Sequence, residues 1–216
     1  MKYFLLKTTV DTEETGNQYP AVVSVKDYEF QSEYSAHKLR TDSFPNFIPD
    51  LRFDLVNGAK LTDVIGQATI SARGLLVSKQ VKEIFTNYSC IPYKTYKAFI
   101  NIKSKKEEYF WIHFVWKEGI ELIDYKSSKW YIKRISKNLG EIKIESRKEH
   151  LLKQGELGFI NMIHGNPIVM RNPNFDVFYD PLNLGIYISE SIKKEFELKR
   201  ITGVEIKENE RLIIKH

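Results

Sequence analysis

The chain has 216 residues, enough for one large domain or two small ones. Hydrophobic residues make up 42% of it and aromatic residues 13%, which excludes an intrinsically disordered chain. Its single cysteine, Cys90, excludes an internal disulfide, and the formal charge of +5 comes from 33 basic and 28 acidic residues.

The distribution of charge and of apolar residues bears on location and partners. The first apolar run, Tyr3 to Leu6, is cut by Lys7, too early for a secretory signal, and no later run is long enough to span a membrane. Basic residues are interspersed with acidic ones, which is typical of a solvated surface and argues against a nucleic-acid partner. We therefore expect a cytoplasmic protein with no membrane partner.

The N-terminal part of the chain alternates apolar runs with polar turns. Residues 1–58 read as strands and turns, which makes them a candidate β-rich N-terminal lobe beside a main region of residues 59–216. Residues 60–67 show at most a weak helical turn. No low-complexity linker divides the chain, so we expect residues 1–216 to form a single domain.

A short motif occurs twice, 111 residues apart. "GLLVSKQVKEIF" (residues 74–85) and "GIYISESIKKEF" (residues 185–196) share Gly, Ser, Lys and Phe at the same four positions. Each reads as a short buried strand, a serine N-cap (Ser78 or Ser189) and an amphipathic helix, followed by another strand. We interpret this strand-helix-strand element as framework, because a capped amphipathic helix explains the pattern.

The segment between the two copies is rich in predicted strands. "EYFWIHFVW" (residues 108–116) is apolar on both faces, which predicts a central strand, and we expect a hairpin at Gly119. Further predicted elements are strands at 129–135 and 139–144, a helix from Ser146 to Gly155, and a strand-turn-strand tail at 202–216. The predicted fold class is α+β, with mostly antiparallel sheets and a few capped helices.

The residues form no recognisable catalytic or metal-binding motif. The five histidines are scattered without paired-ligand spacing, and one cysteine cannot build a thiolate zinc site. The glycine spacing of phosphate-binding loops and of nucleophile elbows is also absent from the sequence. We therefore expect no metal, no cofactor and no catalytic residues.

Two alternatives would make the protein an enzyme that acts on a nucleotide or nucleic acid. Cys90 with His164 can be drawn as a nucleophile and its base. Asp176 and Asp180 lie four residues apart in the segment 164–181, which reads as a loop and also contains His164. A cleft that brings His164 and the two aspartates together would favour this alternative.

A further alternative is a nucleic-acid-binding module. Tyr93 and Tyr96 alternate with Lys94 and Lys97, a pattern that resembles a base-stacking platform. Tyrosine and lysine also commonly share the exposed face of a half-buried strand, which is the interpretation we favour.

Residues 45–216 resemble the bacterial immunity proteins of polymorphic toxin systems, in the group named for a myxobacterial immunity domain. The resemblance lies in a Val77–Ser78 strand-to-helix step, an aspartate followed four residues later by serine, the step Ile188–Ser189–Glu190, and "ITGV" at residues 201–204. It implies a non-catalytic protein that neutralises a cognate protein toxin by direct complex formation. The positive charge departs from the acidic character common among inhibitors of basic nuclease toxins, which argues against such a target.

The resemblance also suggests three partner-binding candidates, Asp124, Ser128 and Trp130. From the residues alone, Asp124 ends a predicted strand, and its carboxylate can accept a hydrogen bond from Ser127 or Ser128 in an Asx-type turn. We favour this structural role for the aspartate and serine over a direct toxin contact.

Overall fold

The computed structural model describes residues 2–182 and 185–215 and has an α+β fold, as predicted. In the described residues the helices are α1 (Lys79–Asn87), α2 (Trp116–Glu121), α3 (Arg147–Leu157) and α4 (Glu190–Leu198), with a 3-10 turn at Ala36–Lys38. The strands are β1 (Tyr3–Thr8), β2 (Val22–Ser24), β3 (Arg52–Leu55), β4 (Val64–Ile65), β5 (Gly74–Val77), β6 (Tyr93–Ile102), β7 (Lys105–Phe114), β8 (Trp130–Arg134), β9 (Lys137–Ile142), β10 (Asn161–Gly165), β11 (Ile168–Arg171), β12 (Val177–Asp180), β13 (Gly185–Ser189), β14 (Val204–Glu208) and β15 (Leu212–Lys215). No helix among the described residues combines the length and apolarity needed to cross a bilayer.

A six-stranded sheet separates two hydrophobic cores. Its order is β2-β3-β6-β7-β5-β4, with β3 and β6 parallel and the other neighbours antiparallel. The central strand predicted from "EYFWIHFVW" is β7, and its side chains alternate between the cores. Phe110, Ile112 and Phe114 enter one core, while Tyr109 and Trp111 enter the other. This alternation explains why both faces of the strand are apolar.

A four-stranded sheet repeats part of this arrangement. Its order is β12-β13-β1-β14, and every neighbouring pair is antiparallel. The order matches β4-β5-β7-β6 of the larger sheet, with the N-terminal strand β1 in the place of β7. The candidate lobe 1–58 therefore supplies β1 to one sheet and β2 and β3 to the other.

The serine caps of the repeated motif form as predicted. The hydroxyl of Ser78 accepts a hydrogen bond from the Val81 amide at 3.4 Å, and Ser189 accepts one from the Ile192 amide at the same distance. Each bond satisfies a backbone donor in the first turn of α1 or α4 that has no partner within its helix.

The shared glycine of the motif is explained by crowding at the start of each strand. A Cβ atom at Gly74 would clash with the backbone oxygen of Ile112 on the neighbouring strand. At Gly185 it would lie 2.9 Å from the ring of Tyr187. Both positions therefore disfavour a larger side chain.

The shared lysine of the motif makes the same contact in both copies. The Lys82 ammonium lies 4.3 Å from the centre of the Phe110 ring, and the Lys193 ammonium lies 4.5 Å from the centre of the Phe4 ring. Phe110 is on β7 and Phe4 is on β1, the two strands that occupy equivalent places in their sheets. The repeat thus extends to cation-π contacts outside the motif.

The half-buried carboxylate of Asp63 connects the first serine cap to the second half of the chain. The Asp63 carboxylate accepts the Ser78 hydroxyl at 2.7 Å, and it accepts both the amide (3.0 Å) and the hydroxyl (2.8 Å) of Thr202. The Asp63 amide in turn donates to the Thr202 hydroxyl at 2.9 Å. We call this set of three residues the Asp63 clamp.

A second carboxylate makes the reciprocal connection. Asp176 accepts the Ser189 hydroxyl at 2.7 Å, together with the amide (3.2 Å) and the hydroxyl (2.7 Å) of Ser89. The Asp176 amide donates back to the Ser89 hydroxyl at 2.9 Å. We call this set the Asp176 clamp.

The two clamps exchange partners between the copies. Ser89 follows α1 and is bound by the aspartate of the second copy, whereas Thr202 follows α4 and is bound by the aspartate of the first. Between them, Phe85 of α1 packs against Phe196 of α4 with ring centres 6.3 Å apart. The shared serine and phenylalanine therefore join the two copies, which supports the interpretation of the repeated motif as framework.

The structure also corrects four sequence-based predictions. Residues 116–121 form the helix α2 in place of a hairpin, and Gly119 lies so close to the Tyr179 carbonyl that a side chain would clash with it. Most of the segment 164–181, predicted as a loop, belongs to strands β10, β11 and β12. The segment 60–67, predicted as a weak helical turn, contains strand β4. Helix α3 ends at Leu157, beyond the predicted end at Gly155.

We expect each clamp to contribute strongly to stability. Asp63→Ala and Asp176→Ala should each lower the free energy of unfolding by about 3 kcal/mol, because each removes three hydrogen bonds to a carboxylate. Chemical denaturation would measure the change. Asp27→Ala is the control, since Asp27 makes an ion pair but its side chain is 78% exposed, and this variant should change stability little. Equal effects in all three variants would contradict the role of the clamps.

The Asp176 clamp should also make stability depend on pH. Burial acts to raise the pKa of Asp176, but the hydrogen bonds from Ser89 and Ser189 outweigh it and hold the pKa below its usual range. A carboxyl whose pKa is lower in the folded state stabilises the protein above its unfolded pKa of about 3.9 and loses this effect as the pH falls through the folded value. The stability difference between wild type and Asp176→Asn should therefore shrink from neutral pH toward pH about 2. A difference that stays constant across denaturation curves at these pH values would argue against the lowered pKa.

Candidate binding surface

Asp124 forms the Asx-type turn expected from the sequence. Its carboxylate accepts the Ser127 amide at 3.1 Å and the Lys215 ammonium at 2.6 Å. The hydrogen bond from Lys215, followed by that from Ser127, lowers the pKa of Asp124. The carboxylate is thus already engaged by the C-terminal strand β15.

Ser128 and Trp130 lie beneath this turn. The Ser128 hydroxyl donates to the Asp124 carbonyl at 2.7 Å and accepts the Val169 amide at 2.8 Å. The Trp130 indole donates to the Tyr125 carbonyl at 2.9 Å and stacks on the Tyr125 ring. Only 8% of Ser128 and 1% of Trp130 are exposed, so the structure brings the three candidates together but gives each an internal partner. Their partner-binding role stays a prediction.

The three residues of the enzyme alternative, His164, Asp176 and Asp180, each make different contacts and do not line one cleft. Asp176 belongs to its clamp, and Asp180 is buried at the end of β12, where it accepts the Leu182 amide at 3.0 Å. His164 lies on β10 opposite Tyr131, and burial lowers its pKa. A cavity of about 860 Å³ opens beside Gly74 and Gly185, but neither aspartate nor His164 lines it.

Cys90 has the properties of a structural thiol. It donates to the Phe85 carbonyl at 3.2 Å. Burial, with a smaller effect from Asp176, raises its pKa to about 12. A thiol with this pKa is protonated at neutral pH, whereas nucleophilic attack requires the thiolate.

The tyrosines of the stacking alternative point in different directions. Tyr93 packs toward Phe114 in one core, and Tyr96 is buried in the other. Their odd spacing along β6 puts them on opposite faces of the sheet. They do not form one exposed platform. Among the described residues, no group of three or more potential metal-ligating side chains is found.

Residues 130–165 form a small unit that we call the 130–165 module. It contains the antiparallel sheet β10-β8-β9 and the helix α3. Trp130 and Ile163 attach its inner face to the main core. The side-chain amide of Gln154 on α3 bonds to the outer edge of β10, with distances of 2.9 Å to the Asn161 carbonyl and 2.8 Å from the Ile163 amide.

Exposed apolar side chains concentrate in this module. Fifteen large hydrophobic residues are exposed in the described part of the chain, and seven of them lie in these 36 residues. They are Ile135, Leu139, Leu151, Leu152, Phe159, Ile160 and Met162. Such a concentration of exposed apolar side chains is typical of an interaction surface.

Five of these seven residues lie at one end of the three-stranded sheet. In the register, Arg134 is opposite both Lys137 of β9 and Asn161 of β10, so the β8-β9 turn and the turn before β10 are neighbours. We define the distal end as residues 133–139 and 159–162. It contains Ile135, Leu139, Phe159, Ile160 and Met162 together with three basic residues, Lys133, Arg134 and Lys137, and no acidic residue.

Ile135 at the distal end adopts an unfavourable backbone conformation. Its φ is 56° and it is 93% exposed, although a β-branched residue disfavours positive φ and an exposed isoleucine gains nothing from burial. Lys103 occupies the equivalent position in the two-residue β6-β7 turn and also has a positive φ, 54°, but its side chain is polar. Strained residues of this kind often belong to functional sites.

The distal end is not among the sites predicted from the sequence. Its residues lie in two segments, "KRISKNL" and "FINM", that look like ordinary strand and turn sequences. No local pattern marks their exposure, because whether Phe159 and Ile160 are covered after the end of α3 depends on which distant elements pack there.

No protein-family model matches the chain, and no curated protein matches its sequence.

We expect the positive φ of Ile135 to lower the stability of the protein. Ile135→Gly should raise the free energy of unfolding by about 1 kcal/mol, because glycine adopts positive φ without the steric penalty of a Cβ atom. Lys103→Gly is the matched control and should stabilise by a similar amount. Thermal and chemical denaturation would measure both. Destabilisation by Ile135→Gly would show that the isoleucine side chain makes a contribution to folding that outweighs the backbone strain.

Proposed function

We propose that this protein is an immunity-type binding protein that neutralises a cognate bacterial toxin by direct complex formation, without catalysis. The observation that carries the proposal is the distal end, where five exposed apolar side chains lie together with three basic ones. An uncovered apolar surface of this kind suits a protein interface, in which apolar anchors lie inside a polar rim.

The internal hydrogen bonds of the polar motif residues also support a binding protein. The serines of the repeated motif, the two clamp aspartates and the Asp124 turn all have partners within the chain. The cysteine is a half-buried hydrogen-bond donor. These residues stabilise a framework, which leaves the exterior as the part of the molecule available for recognition.

The resemblance to immunity proteins supplies the class of partner. It rests on residues 45–216, and the structure gives most of the residues that carry it framework roles. Because framework residues specify a fold and not a target, the toxin's activity does not follow from them.

Co-expression tests this function. The protein should restore growth to bacteria that produce the toxin domain encoded beside its gene, and the two proteins should co-elute in size-exclusion chromatography. Protection without a stable complex would point to catalysis or to an indirect effect. A toxin domain that is neither bound nor neutralised would refute the proposal.

A further inference from the structure

We infer that the partner docks on the distal end of the 130–165 module through an acidic protein surface with an apolar centre. This inference rests on the proposed function and adds to it the location of the interface and the chemistry of the partner. The positive charge of the module, its exposed apolar side chains and the open strand edge of β9 support it.

The charge of the molecule is concentrated in this module. Residues 130–165 carry seven lysine and arginine residues against four glutamates, which gives +3 of the total +5 in 36 of 216 residues. The module's own ion pairs involve Lys143, Arg147 and Lys153. In the described part of the chain, Lys133, Arg134 and Lys137 at the distal end have no ion pair within 4 Å, so they are available to acidic groups of a partner.

The exposed apolar residues distinguish a protein partner from a nucleic acid. Phe159 is 106% exposed, and Ile135, Ile160 and Met162 are each more than 60% exposed. Nucleic-acid affinity comes mainly from phosphate contacts, to which aliphatic side chains contribute little. A protein surface can bury these side chains and pair with the adjoining cations.

The edges of the three-stranded sheet distinguish a protein partner from a lipid surface. The outer edge of β10 is covered by Gln154, whereas β9 pairs only with β8 in the described residues, and its side chains are largely exposed. Unpaired backbone groups of an edge strand are satisfied by water or by another polypeptide. Insertion of this end into hydrocarbon would leave them without partners, at considerable cost.

Charge reversal provides the first test. Arg134→Glu/Lys137→Glu should weaken binding to the toxin domain encoded beside the gene by at least about 10-fold in titration calorimetry, mainly through loss of charge complementarity. The matched control is Lys103→Glu/Lys105→Glu, which makes the same charge change around the other two-residue hairpin turn. The control should bind like wild type, and added salt should weaken the binding of wild type more than that of Arg134→Glu/Lys137→Glu.

The apolar contribution is tested with a matched pair of serine substitutions. Ile160→Ser at the distal end should weaken binding by about 10-fold, as expected when an apolar anchor is removed. Ile48→Ser, at an isoleucine that is 79% exposed elsewhere on the surface, should leave binding unchanged. Ile135→Gly should weaken binding, whereas Lys103→Gly should not, although both are expected to stabilise the fold.

The outcomes separate the inference from the proposed function. Wild-type protein that neither binds nor neutralises the toxin domain removes the proposed function and the inference with it. Tight binding that is equal in Arg134→Glu/Lys137→Glu, Ile160→Ser and their controls removes the distal end alone. Sedimentation with phosphatidylserine vesicles that Ile160→Ser abolishes, or DNA binding that Arg134→Glu/Lys137→Glu abolishes, would overturn the acidic protein partner in favour of a membrane or a nucleic acid.

Discussion

The architecture depends on two carboxylates that each join one copy of the repeated motif to the other. Asp63 and Asp176 each accept the hydroxyl of a helix-capping serine, and each also holds the residue that follows the opposite helix. A carboxylate that accepts three hydrogen bonds is strongly stabilised where it lies, and removing it breaks all three of them. The sheets and helices of the two halves are thereby held in one relative arrangement.

The contacts of the four shared residues explain the similarity of the two motifs. The glycine avoids a clash at the strand start, the serine caps a helix and binds its aspartate, the lysine covers a phenylalanine ring, and the last phenylalanine meets its counterpart. Equivalent strands have the same order in the two sheets, although β7 follows β6 directly and β1 comes from the N-terminus. This agreement in topology, clamps and cation-π contacts favours an internal duplication with a changed chain connection over two unrelated solutions to one packing problem.

Local patterns in the sequence predicted the elements that local physics determines. The central strand β7, the capped helices α1 and α4 and the strands β8 and β9 follow from apolar periodicity and serine caps. The clamps were missed because Asp63 and Thr202 are 139 residues apart, and no local pattern joins them. In retrospect, an aspartate precedes the cap serine by 15 residues in one copy and 13 in the other. The helix α2 was missed because its place depends on the contact of Gly119 with Tyr179, on a distant strand.

The position of the candidate surface follows from this framework. The 130–165 module lies in the chain between β7 and β12 and belongs to neither copy of the repeated motif. The turn of Asp124 and Ser128, together with Trp130, fixes the base of the module to Tyr125 and Val169. The three residues that the resemblance singles out thus position the module, and its opposite end carries the uncovered apolar and basic side chains. Because the framework contacts lie at the base of the module, the exposed side chains at its opposite end can change without loss of the fold, which fits the proposed recognition of a specific partner.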